Sequence, residues 1–187
     1  MTGRLSTTGL LVAAGGAMEL TFLSLYCAPS GAGAVLWMIG VNVVSYALFA
    51  VAVWLLRRSE SPAMRGGLIV LLFGVLFRLS LVPHAVIGSD DIYRYLWDGR
   101  VAAAGINPYA YTPTDPHLAP LATADLPSSV NHPELKSVYP ALAQGLFLLS
   151  HVLFGDSVAG MKLLLVLADC VTLLLLRALL APRGSPL

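Results

Sequence analysis

Charge is scarce in this sequence. Of its 187 residues 11% are charged and 57% hydrophobic, and the formal net charge is only +1. So even a balance excludes a general electrostatic attraction to nucleic acid or to acidic partners. Cysteine is nearly absent. Cys27 and Cys170 stand in or beside separate apolar segments, with no metal-ligand spacing and no disulfide framework, and read as small buried hydrophobes. There is no internal repeat and no low-complexity tract. What is there is apolar: a mean hydropathy of +0.79 excludes an ordinary soluble domain and predicts an all-α integral membrane protein.

A membrane-crossing helix needs about 20 mostly apolar residues. Five segments meet or approach this: 8–27, 32–56, 66–87, 139–154 and 158–180, the fourth being marginal in length. The first follows Arg4 as a signal peptide would, yet its length and the spans behind it mark it as a retained helix. Arg57, Arg58 and Arg65 crowd the short loop after the second segment, and positive charge in short loops marks the cytoplasmic side. The N-terminus is therefore expected in the cytoplasm and segment 88–137 on the extracytoplasmic face. Arg177 and Arg183 oppose the alternation at the other end, so the side of the C-terminus stays open. The expected fold is a single membrane domain over 1–187 with about five transmembrane helices. Its extracytoplasmic loop, 88–137, is far longer than an ordinary connection, and such loops are functional or disordered.

That loop opens on Ser89-Asp90-Asp91-Ile92-Tyr93-Arg94-Tyr95-Leu96-Trp97-Asp98-Gly99-Arg100, the densest knot of charge and aromatics in the chain. Ser89 can cap a helix, Asp90 and Asp91 suit the positive end of its dipole, and Gly99 suits a helix end. A juxtamembrane helix over 90–104 follows. It would half-bury Ile92, Tyr95, Leu96 and Val101 at the membrane surface, with Tyr93, Tyr95 and Trp97 as interfacial anchors. Prolines at 113, 116, 120, 127, 133 and 140 keep the remainder irregular and extended. A well-capped helix explains much of this, but not why two adjacent carboxylates emerge directly after a membrane span. Within the apolar segments, Glu19, Arg78 and Asp169 are costly in lipid and must face a bundle interior, a partner or a cavity. Glu19 and Arg78 lie on different spans and can pair. His84 and His151 read as packed or interfacial, His117 as solvated.

Taken with Ala104-Gly105-Ile106-Asn107-Pro108-Tyr109, Asn131-His132-Pro133-Glu134-Leu135 and Val138-Tyr139-Pro140-Ala141-Leu142-Ala143-Gln144, the Ser89–Arg100 stretch resembles the first outer loop of the GT-C glycosyltransferases. Within them it is most similar to the bacterial polyprenol-phosphate-dependent mannosyltransferases. The resemblance covers 78–180; the first two spans add only a multi-span topology. It implies a multi-pass enzyme of the bacterial inner membrane that takes a hexose, mannose foremost, from a polyprenyl-phosphate donor and passes it to a glycan or lipid acceptor. It puts the catalytic base on the Asp90–Asp91 pair, with Asp90 favoured. Arg94, Arg100, His132 and Tyr139 are the implied substrate contacts.

The chemistry is consistent with these residue types. A positioned carboxylate can take the proton of an attacking hydroxyl, and nearby cations stabilise a departing phosphate. Arg94, one turn after Asp90, is either a phosphate partner or an i,i+4 salt-bridge partner worth about 0.2–0.5 kcal/mol. Arg100 either reaches phosphate or snorkels to headgroups. Asp90, Asp91, His132 and Glu134 would offer ligands to a divalent cation only if the loop folds back on the helix; no metal or cofactor is assigned. Members of the superfamily carry roughly twice as many spans as the five read here, so the resemblance implies an N-terminal portion: a truncated or split product, a half whose missing helices a partner chain supplies, or a degenerate remnant. Two other classes stay open. One is a non-catalytic membrane scaffold or subunit derived from such an enzyme. The other is a small transporter lined by Glu19, Arg78 and Asp169, which lacks the paired broken helices and repeats of that class.

Overall fold

A computed structural model describes residues 6–58, 63–86 and 89–180. Among the described residues the regular structure is all helical, with no strand. The chain divides into two compact units, Met1–His84 and Ala85–Leu187.

The first unit holds α1 (Thr7–Leu23), a 3-10 turn at Ser24–Cys27, α2 (Ala32–Arg57) and α3 (Ala63–Leu81). Ser6 starts α1 by accepting the Gly9 N–H on its hydroxyl at 3.1 Å. The chain turns into α2 through Gly31, whose φ of 66° favours glycine. α1 packs against both α2 and α3. The Phe73 ring sits directly on Gly15, where a β-carbon would come within 2.6 Å of it. Phe22 and Phe77 meet at 5.2 Å. Glu19 is buried with Oε2 lacking a hydrogen-bond partner, and Arg78 Nη1 donates to the Gly74 carbonyl at 2.8 Å.

Three helices among the described residues are long and apolar enough to cross a membrane: Thr7–Cys27, Ala32–Arg57 and Val158–Leu179. The other two apolar segments form shorter helices, Gly66–Leu81 and Ala141–Phe154. The third segment, expected over 66–87, stops at Leu81 in turns closed by Val82 N–H to Leu79 O and His84 N–H to Leu81 O, both 3.2 Å. Pro83 explains the stop, since it has no N–H and disfavours helix in the residue before it. Residues 87–88, Arg4, the loop residues 59–62 and Arg183 lie outside the described residues. The cysteines correct the expectation of burial: Cys27 is exposed at the end of its 3-10 turn, and Cys170 is half-buried.

The second unit contains α4 (Asp91–Ala103), a 3-10 turn at Pro116–Leu121, α5 (Ala141–Phe154) and α6 (Val158–Leu180). α4 packs on α5 and α6, and its apolar face joins Leu118, Leu126, Val130, Phe147 and Met161 in one core. Trp97 and Val101 are 1% exposed, so Trp97 is a core residue and not an interfacial anchor; α5 and the returning loop cover the face that sequence alone assigned to the membrane surface. Gly99 lies inside α4, not at its end. It is the point of closest approach to α5, because a β-carbon there would overlap the Phe147 carbonyl. The helix ends instead before Gly105, at φ 77°. Pro140 occupies the N-cap of α5. The loop is folded and not extended: turns and a 3-10 helix pack Leu118, Leu126 and Val130 against α4.

Candidate functional site

The acidic pair sits where α4 begins. Asp90, not Ser89, holds the N-cap position, and its exposed side chain makes no cap hydrogen bond. Ser89 Oγ accepts the Asp91 backbone N–H at 3.3 Å. Asp91 Oδ1 accepts from Asn131 Nδ2 at 3.0 Å, across 40 residues of chain. The hydrogen bonds from Asn131 and Ser89, with His132 nearby, hold the Asp91 carboxyl below the usual carboxylate range. It is therefore ionised at neutral pH.

One turn on, Arg94 Nε donates to Asp98 Oδ1 at 2.9 Å, and both side chains are buried. The i,i+4 partner of Arg94 is thus Asp98, ahead of it, and not Asp90 behind it. Asp98 Oδ2 accepts from Ser137 Oγ at 2.6 Å and Gln144 Nε2 at 2.9 Å, and Gln144 Nε2 also reaches Ser137 Oγ at 2.7 Å. Arg94 Nη2 and Gln144 Oε1 are buried without hydrogen-bond partners.

Tyr139 lies against Tyr95 at 5.0 Å and Phe147 at 5.6 Å, edge to face, while Tyr95 and Phe147 stack at 4.6 Å. Burial, then the neighbouring Tyr95, pushes the Tyr139 phenol up to about 12; Asp91 raises it further and Arg94 opposes. It stays protonated near neutrality and keeps its O–H donor. Asp91 and Arg94 thus share one electrostatic neighbourhood with Tyr139. Tyr109 Oη donates to the Tyr139 carbonyl at 2.6 Å, fixing the loop beside it. His132 is exposed, at a φ of 47°, with Nδ1 3.4 Å from Glu134 Oε1. Of the residues singled out from sequence, Asp91 is joined to the segment that carries His132 through Asn131, Asp90 adjoins it, and Arg94 and Tyr139 lie within electrostatic range.

Arg100 stands apart. Its Nε donates to the Leu121 carbonyl at 2.7 Å and its Nη1 pairs with Asp156. His151 Nδ1 approaches the same carboxylate at 3.1 Å, without hydrogen-bond geometry. Arg100 therefore clasps the 3-10 turn and the α5–α6 turn onto α4, with its Nε and Nη1 engaged by protein. Among the described residues, no group of three or more His, Cys, Asp or Glu side chains could hold a metal ion.

No family model, curated protein or solved structure matches this chain.

What the geometry adds is therefore local. The Asp-Asp and Asn-His-Pro segments, far apart in sequence, meet at one hydrogen bond. The result is two adjacent carboxylates, that of Asp91 ionised, beside an exposed imidazole, with a buried guanidinium and a neutral phenol in electrostatic range. Such a constellation can take a proton from a hydroxyl and offer donors to an oxyanion. Sequence reasoning missed Asp98, Ser137 and Gln144. Asp98 was readable as the i+4 partner of Arg94, and Gln144 as a polar residue inside an apolar helix; Ser137 carries no local signal.

Proposed function

We propose that this chain is a membrane glycosyltransferase, or the N-terminal portion of one. It would move a hexose, mannose foremost, from a polyprenyl phosphate to a glycan or lipid acceptor on the extracytoplasmic face of a bacterial inner membrane. The observation that carries this reading is the Asp91–Asn131 hydrogen bond, which joins the two motif segments into one site. Asp90 is the base: its carboxylate is exposed and makes no cap hydrogen bond, whereas the Asp91 carboxylate is engaged by Asn131, which lowers its pKa. The acceptor oxygen attacks the anomeric carbon as Asp90 takes its proton. The bond from that carbon to the phosphate oxygen breaks with inversion, and the polyprenyl phosphate leaves as an anion. The neutral Tyr139 phenol supplies a donor to it, while Arg94 is held on Asp98 beside the site.

A second reading, a non-catalytic scaffold, draws on Val138 and Leu142, 81% and 82% exposed at the edge of the site. One assay separates the two. Purified chain in membranes is given radiolabelled polyprenyl-phosphate mannose and crude membrane acceptors, alongside Asp90→Asn and the Asp90→Asn/Asp91→Asn double variant. Transfer lost in both variants, with insertion unchanged, supports the enzyme. Transfer retained by the double variant refutes the assignment of the base. A chain that inserts but transfers nothing, while partner capture depends on Val138 and Leu142, makes it a scaffold.

A further inference from the structure

Beyond Val130, which packs in the core, the turn that carries Asn131 has little apolar anchorage. Between Val130 and Tyr139 the only buried residue is Ser137; Leu135, Lys136 and Val138 are all exposed. Hydrophobic burial, the usual force that fixes a loop, ends at Val130, so the turn that follows Asn131 lacks it. Its place is taken by a polar anchor, the bond from Ser137 Oγ to Asp98 Oδ2 at 2.6 Å. Being deeply buried, that anchor is strong: Asp98 is 2% exposed and its acceptor bonds are charge-assisted.

The anchor is also positioned to be felt at Asn131. The intervening chain is a tight turn, closed by Leu135 N–H to His132 O at 3.0 Å and stiffened by Pro133. Thr114 Oγ1 meets the Pro133 carbonyl at 3.4 Å from outside. The same Asp98 carboxylate holds Arg94 Nε with its other oxygen and Gln144 of α5 beside Ser137. One buried group therefore grips both halves of the site: the α4 side through Arg94 and the loop side through Ser137.

We infer that Asp98 is the positioning residue of the Asp90–Asp91 site, acting through Ser137 to hold Asn131 on Asp91. It touches no reacting atom. The inference rests on reading the start of α4 as the working end of the site, but not on the reaction that occurs there. The competing role is a plain staple, in which Asp98 stabilises the core and the Asn131 contact survives without it.

The test follows the Asn131 side-chain amide by NMR in the full chain, labelled with 15N-asparagine in detergent micelles and assigned by the loss of its signals in Asn131→Ala. In the parent protein those signals report a charge-assisted bond to Asp91. In Asp98→Asn and in Ser137→Ala they are expected to shift to the free-amide position and to exchange faster with solvent. Ser137→Ala leaves the buried Arg94–Asp98 pair intact, so it decides the matter even where Asp98→Asn does not fold. Unshifted Asn131 signals in folded Ser137→Ala overturn the inference, whatever the melting temperature does. No transfer activity is needed for this readout. A chain that transfers no sugar but shows the shift loses the proposed function and keeps Asp98 as positioning residue, and the reverse result separates them the other way.

Discussion

Gly99 and Gly145 make a paired prediction in which helix propensity and packing disagree. Both lie inside helices, Gly99 in α4 and Gly145 in α5. On propensity alone, alanine at either position should stabilise by about 1 kcal/mol. At Gly145 nothing lies within 4 Å of an added β-carbon, so Gly145→Ala should gain about 0.5–1 kcal/mol. At Gly99 the added carbon overlaps the Phe147 carbonyl oxygen, comes 2.8 Å from its carbonyl carbon and 3.4 Å from His151 Cβ. Backbone atoms cannot rotate aside, so α4 and α5 must separate, which loosens the packing of Trp97, Val101, Phe147 and Met161. Overpacking costs about 1–3 kcal/mol or more, and a clash with backbone belongs to the upper part of that range, about 2–3 kcal/mol, enough to reverse the propensity gain. The net expectation for Gly99→Ala is a loss of about 1–2 kcal/mol once that gain is subtracted. At about 4–8 °C per kcal/mol for a unit of this size, the midpoint should fall by roughly 5–15 °C. The assay is thermal unfolding in micelles followed by Trp97 fluorescence, with Trp37 and Trp54 replaced by phenylalanine so that only the second unit reports. A Gly99→Ala protein that melts at or above its parent would refute the close approach of α4 and α5.

Further expectations follow from the polar groups. Asp98→Ala strands the buried Arg94 guanidinium and should cost about 3–5 kcal/mol. Glu134→Ala, at the exposed His132 pair, should change stability by less than about 0.5 kcal/mol in the same melt. Alkaline titration of tyrosinate absorbance should show a component near 12 that disappears in Tyr139→Phe. Because that phenol is raised in the folded state, its contribution to stability is full below the ordinary tyrosine range and is lost as pH rises through about 12. Asp91 behaves oppositely: its pKa is lowered, so its contribution is present above the unfolded value and lost as pH falls through the folded one. Asn131→Ala removes the main cause and should melt lower than the parent at neutral pH, the two converging in acid. Equal melting of parent and variant at neutral pH would remove Asn131 as that cause.

The sequence by itself determined the helices and their character. Long apolar runs can satisfy their backbone only internally when buried in apolar surroundings, so α2 and α6 could be placed within a residue from hydropathy, whereas the segment read over 8–27 ends as α1 at Leu23 and closes in a 3-10 turn. Pro83 and Pro140 mark boundaries because proline lacks an N–H, although α3 was read past its true end at Leu81. The acidic start of α4 was legible from its local chemistry. Only the tertiary structure decided what each charge does. Arg94 and Arg100 look alike as exposed cations on one helix, yet one is buried against Asp98 and the other clasps Leu121 and Asp156. Gly99 reads as a helix stop and is a helix contact; Trp97 reads as an interfacial anchor and is core. Asn131 and Ser137 acquire partners 40 and 39 residues away. Periodicity and capping report on neighbours within a turn or two of helix, whereas these partners depend on where a folded loop returns, and no local pattern encodes that.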